Sequence, residues 1–103
     1  MLPLLTLLLA CGPQETLSPE AERGKQVYLA NCTACHHVDP SKTGPVGPAV
    51  KGASRDLLEA RVLRGTYPEG YKPKRETHTM QPLPQLEPQL DDLAAYLHAP
   101  PPP

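Results

Sequence analysis

The stretch Cys32-Thr33-Ala34-Cys35-His36 decides how this chain is read. Cys-x-x-Cys-His is the attachment motif of c-type haem. Each cysteine sulfur adds to one vinyl group of the haem, giving two thioether bonds. The two intervening residues put the sulfurs about one helical turn apart, which suits the two vinyl positions. The histidine that follows lies under the iron as its proximal ligand. Such a motif implies one-electron chemistry carried by the haem itself. Two other readings of Cys-x-x-Cys compete with it. A tetrahedral zinc site wants a second ligand pair, and the remaining candidates, Cys11, His37, His78 and His98, form none by spacing. A thiol redox motif sits between a strand and a helix, and nothing strand-like precedes Cys32.

Working outward, 103 residues make one small domain. The chain has no Phe, no Trp and four Tyr. A chain this short buries a modest fraction of its surface and often needs a staple. A haem would supply a large flat apolar body for helices to wrap, so a poor core of its own is what a haem-centred protein shows. Fifteen prolines favour long loops over a sheet. The net charge of −1 makes no case for nucleic acid.

Residues 12–17 read as a linker. Ser18-Pro19-Glu20 is a helix start, with Ser as N-cap, Pro at the first helical position and an acid in the first turn. That helix is expected from Pro19 to about Asn31, leading into the motif. Asp39 to Val50, with Pro40, Gly44, Pro45, Gly47 and Pro48, is loop. Ser54 begins a second helix with Leu57, Leu58, Val62 and Leu63 on its buried side, and Gly65 ends it as a C′ residue. Thr66 to Glu87 is a long loop, and a loop of this length is functional or wrapped on something. A third helix is expected from near Pro88 to about His98, its stripe being Leu90, Leu93, Ala94 and Leu97. Pro100 to Pro103 cannot continue it and form a tail. There is no internal repeat and no convincing strand.

At this point the pattern resembles a bacterial class I cytochrome c over roughly Pro19 to Leu97. In that family a glycine and an aromatic precede the motif on the first helix, and Gly24 and Tyr28 match. An aromatic of the terminal helix crosses near that glycine, and Tyr96 matches. The family's G-P-x-L-x-G loop corresponds to Gly47-Pro48-Ala49-Val50-Lys51-Gly52, with Val in place of Leu. The resemblance implies that Pro48 packs on the proximal side of the haem and that its carbonyl accepts the His36 Nδ1–H bond. It further implies Met80 as the sixth ligand. Met80 is the one methionine besides Met1, in a polar, proline-rich loop, where a core-filling methionine is out of place. His78 is its nearby competitor. His37 is expected to be exposed beside the haem edge, and His98 to be a cation near a helix C-terminus. The fold implied is all-α, about three main helices with long loops wrapped around one haem, held covalently as haem c.

The first ten residues, Met1 to Ala10, are a leucine-rich run too short to span a bilayer, which takes roughly 20 apolar residues. They read as a signal peptide. The run ends in Leu8-Leu9-Ala10-Cys11, which resembles a bacterial lipobox, where the signal is cut before the cysteine and its sulfur is lipidated. This makes 1–10 a lipoprotein signal, 11–17 a lipidated cysteine and linker, 18–99 the haem domain and 100–103 a tail. The competing reading is an ordinary cleaved signal with a spare cysteine.

The expected function is a lipid-anchored monohaem electron carrier with His36 and Met80 as iron ligands, not an enzyme. It would sit on the outer face of the cytoplasmic membrane, held by lipid on Cys11. Its expected partners are a quinol-oxidising complex and a terminal oxidase or reductase. A basic group, Arg61, Arg64, Lys72, Lys74 and Arg75, reads either as solvated surface or as a cluster at the haem edge that steers an acidic partner. A second reading is an electron-transfer subunit of a larger oxidoreductase. A third is a gas sensor with an open iron position.

Overall fold

The computed structural model describes residues 17–75 and 78–100. The first helix, α1, spans Pro19–Asn31, and the Ser18 hydroxyl accepts the Ala21 N–H at 3.1 Å. Its buried residues Ala21, Gly24 and Tyr28 fall at i, i+3 and i+7, one face of the helix. The second helix, α2, starts at Arg55–Leu58, capped by the Ser54 hydroxyl on the Leu57 N–H. It continues through Glu59–Leu63 as a widened π-type turn that the sequence pattern does not announce. Gly65 follows at φ +65° and ends it. A 3₁₀ turn over Pro84–Gln89 leads into α3, Leu90–Leu97. The third helix thus begins two residues after Pro88, which lies inside the tighter turn, where its missing N–H costs less. No strand occurs among the described residues. The expected leader, Cys11 and residues 101–103 of the tail lie outside them.

The architecture rests on α1 crossing α3. A Cβ at Gly24 would run into the backbone carbonyl of Asp92 and come within 2.9 Å of the Leu93 nitrogen. Only a residue without a Cβ lets the two backbones approach so closely. Tyr28 and Tyr96 meet beside this crossing, ring centroids 5.7 Å apart at 49°, a favourable tilted arrangement. Two arginines from different helices grip the start of α3. The Arg23 guanidinium holds Asp92 in two bonds of 3.0 and 3.2 Å, and Arg55 Nε reaches Asp91 at 2.9 Å. Both acids also face the positive end of the helix dipole. The Arg23 side chain is 59% exposed, so its pair is largely screened by solvent and fixes geometry more than it adds stability.

The core is Tyr28, Leu58, Val62, Leu86, Leu90, Leu93 and Leu97. Of the residues expected on the buried side of α2, Leu58 and Val62 are buried, while Leu57 and Leu63 are half-buried. These side chains form a single layer of apolar contacts between helices, with an open apolar cavity beside it.

Candidate functional site

That cavity has a volume of about 610 Å³, within the range of roughly 300–1,000 Å³ typical of sites for small molecules and cofactors. Its apolar lining includes Leu58, Val62, Leu86, Leu93 and Leu97, so the core is also the floor of the site. Cys32, Cys35 and His36 line it from the end of α1, Pro48 from the loop after the motif, and Met80 from the segment before the 3₁₀ turn. His78 is exposed and does not line it.

The motif is an extension of α1 by one more turn. The Cys32 N–H donates to the Tyr28 carbonyl at 2.9 Å, the His36 N–H to the Cys32 carbonyl at 2.9 Å, and the Thr33 hydroxyl to the Leu29 carbonyl at 3.0 Å. Neither cysteine is in a disulfide, and both line the same cavity. Burial pushes the Cys32 thiol up to about 11, so it is held neutral in an apolar setting.

The imidazole of His36 is fixed from two sides. Its Nδ1 lies 2.8 Å from the Pro48 carbonyl oxygen. A carbonyl only accepts, so Nδ1 carries the proton and Nε2 is left with a free lone pair, the state a metal-binding imidazole needs. The backbone of Gly47 covers the ring: a Cβ there would lie 2.6 Å from Nδ1. The loop that makes these contacts is itself well tied. Gly47 N–H donates to the Cys35 carbonyl at 2.8 Å, Val50 and Lys51 N–H both donate to the Pro40 carbonyl at 2.9 Å, and Gly52 N–H donates to the Leu97 carbonyl at 2.9 Å. Lys51 Nζ donates to the Ala99 carbonyl, and His98 Nε2 donates to the Ala53 carbonyl at 2.7 Å.

His37 differs from its expected place. It is half-buried and outside the cavity lining. Its Nδ1 accepts the Asp39 N–H at 2.9 Å, and its carbonyl accepts the Tyr28 hydroxyl, so it braces the turn that leaves the motif. Burial, with smaller contributions from nearby Cys32, Tyr96 and Asp39, pushes the Tyr28 phenol up to about 12. The next turn is closed by Asp39, whose carboxylate accepts the Ser41 N–H at 3.0 Å and its hydroxyl at 2.7 Å. These bonds hold the Asp39 carboxyl below its usual range.

The basic group divides. Arg61, Lys74 and Arg75 line the cavity; Arg64 and Lys72 do not. Arg64 instead pairs with Glu59 at 3.2 Å on the surface. Tyr67 and Tyr71, which sequence reasoning did not single out, also line the cavity. Their rings stack at 5.6 Å and 10°, and the Arg61 guanidinium sits 4.2 Å from the Tyr67 centroid while donating to the Gly65 carbonyl at 2.9 Å. The available signal was two tyrosines four apart, Tyr67 just before Pro68 and Tyr71 two residues before Pro73, a spacing with no periodicity to mark it.

The residues present fit a covalently held haem: an apolar cavity of cofactor size, two thiols and a tautomer-fixed imidazole in one turn, and a thioether from a separate segment. A zinc reading finds no support, since among the described residues no three His, Cys, Asp or Glu side chains converge. The family model of cytochrome c matches residues 21–99. The "Cytochrome c-553-like" protein of Synechocystis sp. (strain ATCC 27184 / PCC 6803 / Kazusa) is 28% identical over 82 residues, covering 80% of this chain and 68% of that protein.

Proposed function

This chain belongs to the cytochrome c family, a class I monohaem protein of haem-based electron transfer, and on that premise we propose a lipid-anchored carrier between membrane respiratory complexes. The observation that carries the reading is the convergence on one cavity of Cys32, Cys35, His36 and Met80. Haem c, when bound, supplies a reversible one-electron change at its iron. The rest is the work of the chain. Cys32 and Cys35 provide the sulfurs for the thioether bonds. His36 would hold the iron through Nε2, its ring oriented by the Pro48 carbonyl and covered by Gly47. Met80, from the opposite segment, would hold the iron through its thioether, a soft ligand that would favour the reduced state and raise the potential relative to bis-histidine ligation. The leucine floor would give a bound haem an apolar setting, which would also raise the potential. One optical measurement tests the ligand set. The ferric holoprotein should show the far-red sulfur-to-iron band, and Met80→Ala should abolish it. A wild-type protein without the band would exclude Met80.

The carrier's place follows from the sequence before Ser18. Cys11 with a diacylglyceryl group would have at least two chains, enough for stable anchoring. No helix among the described residues is long and apolar enough to cross a membrane. From Cys11 to Pro19 the tether reaches at most about 28 Å at about 3.5 Å per residue. That confines the domain near the outer face of the cytoplasmic membrane and raises the effective concentration of partners there. A quinol-oxidising complex as donor and a terminal oxidase or reductase as acceptor suit that place. Cys11→Ser should move the protein from the membrane fraction to the soluble one; unchanged membrane association would count against the anchor. Arg61, Lys74 and Arg75 at the cavity support steering of an acidic partner. Gln at Lys72, Lys74 and Arg75 should then slow electron exchange at low salt and flatten its salt dependence.

A further inference from the structure

The end of α3 and the loop that orients His36 are joined by three hydrogen bonds, with donors on both sides. Gly52 N–H donates to the Leu97 carbonyl at 2.9 Å, and Lys51 Nζ donates to the Ala99 carbonyl. In return His98 Nε2 donates to the Ala53 carbonyl at 2.7 Å. The last carbonyls of a helix have no partner within it, so the loop is bound where α3 has acceptors to spare. The Lys51 ammonium also stands at the negative end of the helix dipole. Gly52 takes φ +79°, although a Cβ there would meet nothing within 4 Å. Its lack of a side chain serves the backbone turn rather than space, and three consecutive residues, 51, 52 and 53, reach the helix end through that turn. The same loop touches the imidazole: the Pro48 carbonyl lies 2.8 Å from His36 Nδ1, and the Gly47 backbone covers the ring. A circuit results. α1 leads to His36, the loop leads from His36 to the end of α3, and α3 returns to α1 at Gly24.

We propose that Lys51 and His98 are positioning residues, which with Gly52 dock the loop on the end of α3 and so hold the Pro48 carbonyl on His36 Nδ1. The proposal rests on the reading of His36 as the iron ligand. A carbonyl on Nδ1–H strengthens Nε2 as a donor. The docking therefore sets the donor strength of His36 through a chain of bonds that begins at the far end of α3.

The test is the exchange of the His36 Nδ1 proton with solvent, followed by NMR in the ferrous holoprotein and paired with the reduction potential. His98→Leu removes the donor at an exposed position. It should speed the exchange about three- to tenfold, the effect of losing one hydrogen bond. A weaker Nε2 donor stabilises ferric iron less, so the potential should rise by about threefold in the ferrous-to-ferric ratio, about 28 mV at about 59 mV per tenfold. His98→Gln keeps an N–H donor and should restore most of both values. Lys51→Met should also speed the exchange, whereas loss of a positive charge alone lowers the local hydroxide concentration and would slow it. Ser18→Ala removes the cap at the far end of α1; it should lower the denaturant midpoint and leave the exchange unchanged. Unchanged exchange in both His98→Leu and Lys51→Met would overturn the proposal. Equal acceleration by Ser18→Ala would overturn it too, by showing that the exchange follows global stability. A wild-type holoprotein whose His36 ring protons lack the upfield shift of a group lying against a haem plane would overturn the His36 reading beneath it.

Discussion

The two loops around the cavity come from the same proline-rich vocabulary and are held in opposite ways. The loop from His36 to Ala53 has Pro40, Pro45 and Pro48; the segment from Thr66 to Leu83 has Pro68, Pro73 and Pro82. The first is bonded to the motif, to its own start and to the end of α3. Among its described residues, the second is bonded at Thr66 and Leu83 to the carbonyls of Ala60 and Val62, carries a turn bond from Tyr71 N–H to the Pro68 carbonyl, and reaches the first loop through Lys74. Proline content is therefore no guide to rigidity here; the destination of the backbone N–H groups is. The difference has a chemical counterpart. The residue that must keep one tautomer and one orientation, His36, lies against the stiff loop. The proposed sixth ligand, Met80, lies in the second segment.

The comparison is broken most severely by Gly47→Ala. The added Cβ meets the His36 ring and the adjoining backbone cannot yield without losing the bond from Gly47 N–H to Cys35. It should cost about 3 kcal/mol, as for overpacking at a rigid site, and should sharply cut the yield of holoprotein, read by haem absorbance and by denaturant midpoint. The matching change in the other segment, Gly70→Ala, meets nothing within 4 Å and faces only a positive φ of 78°. It should cost about 1–2 kcal/mol and leave haem attachment intact. Equal losses from the two would erase the distinction between the loops.

Tyr28→Phe probes the brace behind the stiff loop. Removing the hydroxyl that donates to the His37 carbonyl should cost about 1 kcal/mol at neutral pH. It should also change the alkaline limb. The phenol is raised from 10.0 to about 12 on folding, so its contribution is complete below pH 10 and is lost as pH rises from there through 12. Ellipticity followed with pH should fall less steeply for the variant over that window.

The smallest effect is expected from Ser41→Ala. The bonds from Ser41 lower the Asp39 carboxyl below 3.8, so their contribution is present above that value and lost as pH falls through it. The variant should flatten the start of acid unfolding slightly and leave the sixth-ligand band untouched.

Much of the fold was legible in the sequence because local chemistry sets it. Ser18-Pro19-Glu20 placed the start of α1, Ser54 and Gly65 bounded the second helix, and Leu90, Leu93 and Leu97 marked the buried stripe of α3. The widened turn over Glu59–Leu63 was not legible, since it contains neither Gly nor Pro and its residues read as ordinary helix. The same holds for the cavity wall of Tyr67 and Tyr71, and for which cations face inward. Lys72 and Lys74 are indistinguishable as letters, and only the path of the loop puts one at the cavity and the other outside it.

The sequence by itself determined that two sulfurs and an imidazole stand one turn apart at the end of a helix, because that spacing is a property of the chain's own helical geometry. It determined through Gly24 that a close helix crossing was available. The family resemblance implied that the Pro48 carbonyl meets His36 and that Met80 belongs with it; only the tertiary structure brings these groups to one cavity and joins Lys74 to Ala49. Each of these joins segments separated by long loops, and such contacts depend on where the backbone returns, which no local preference encodes.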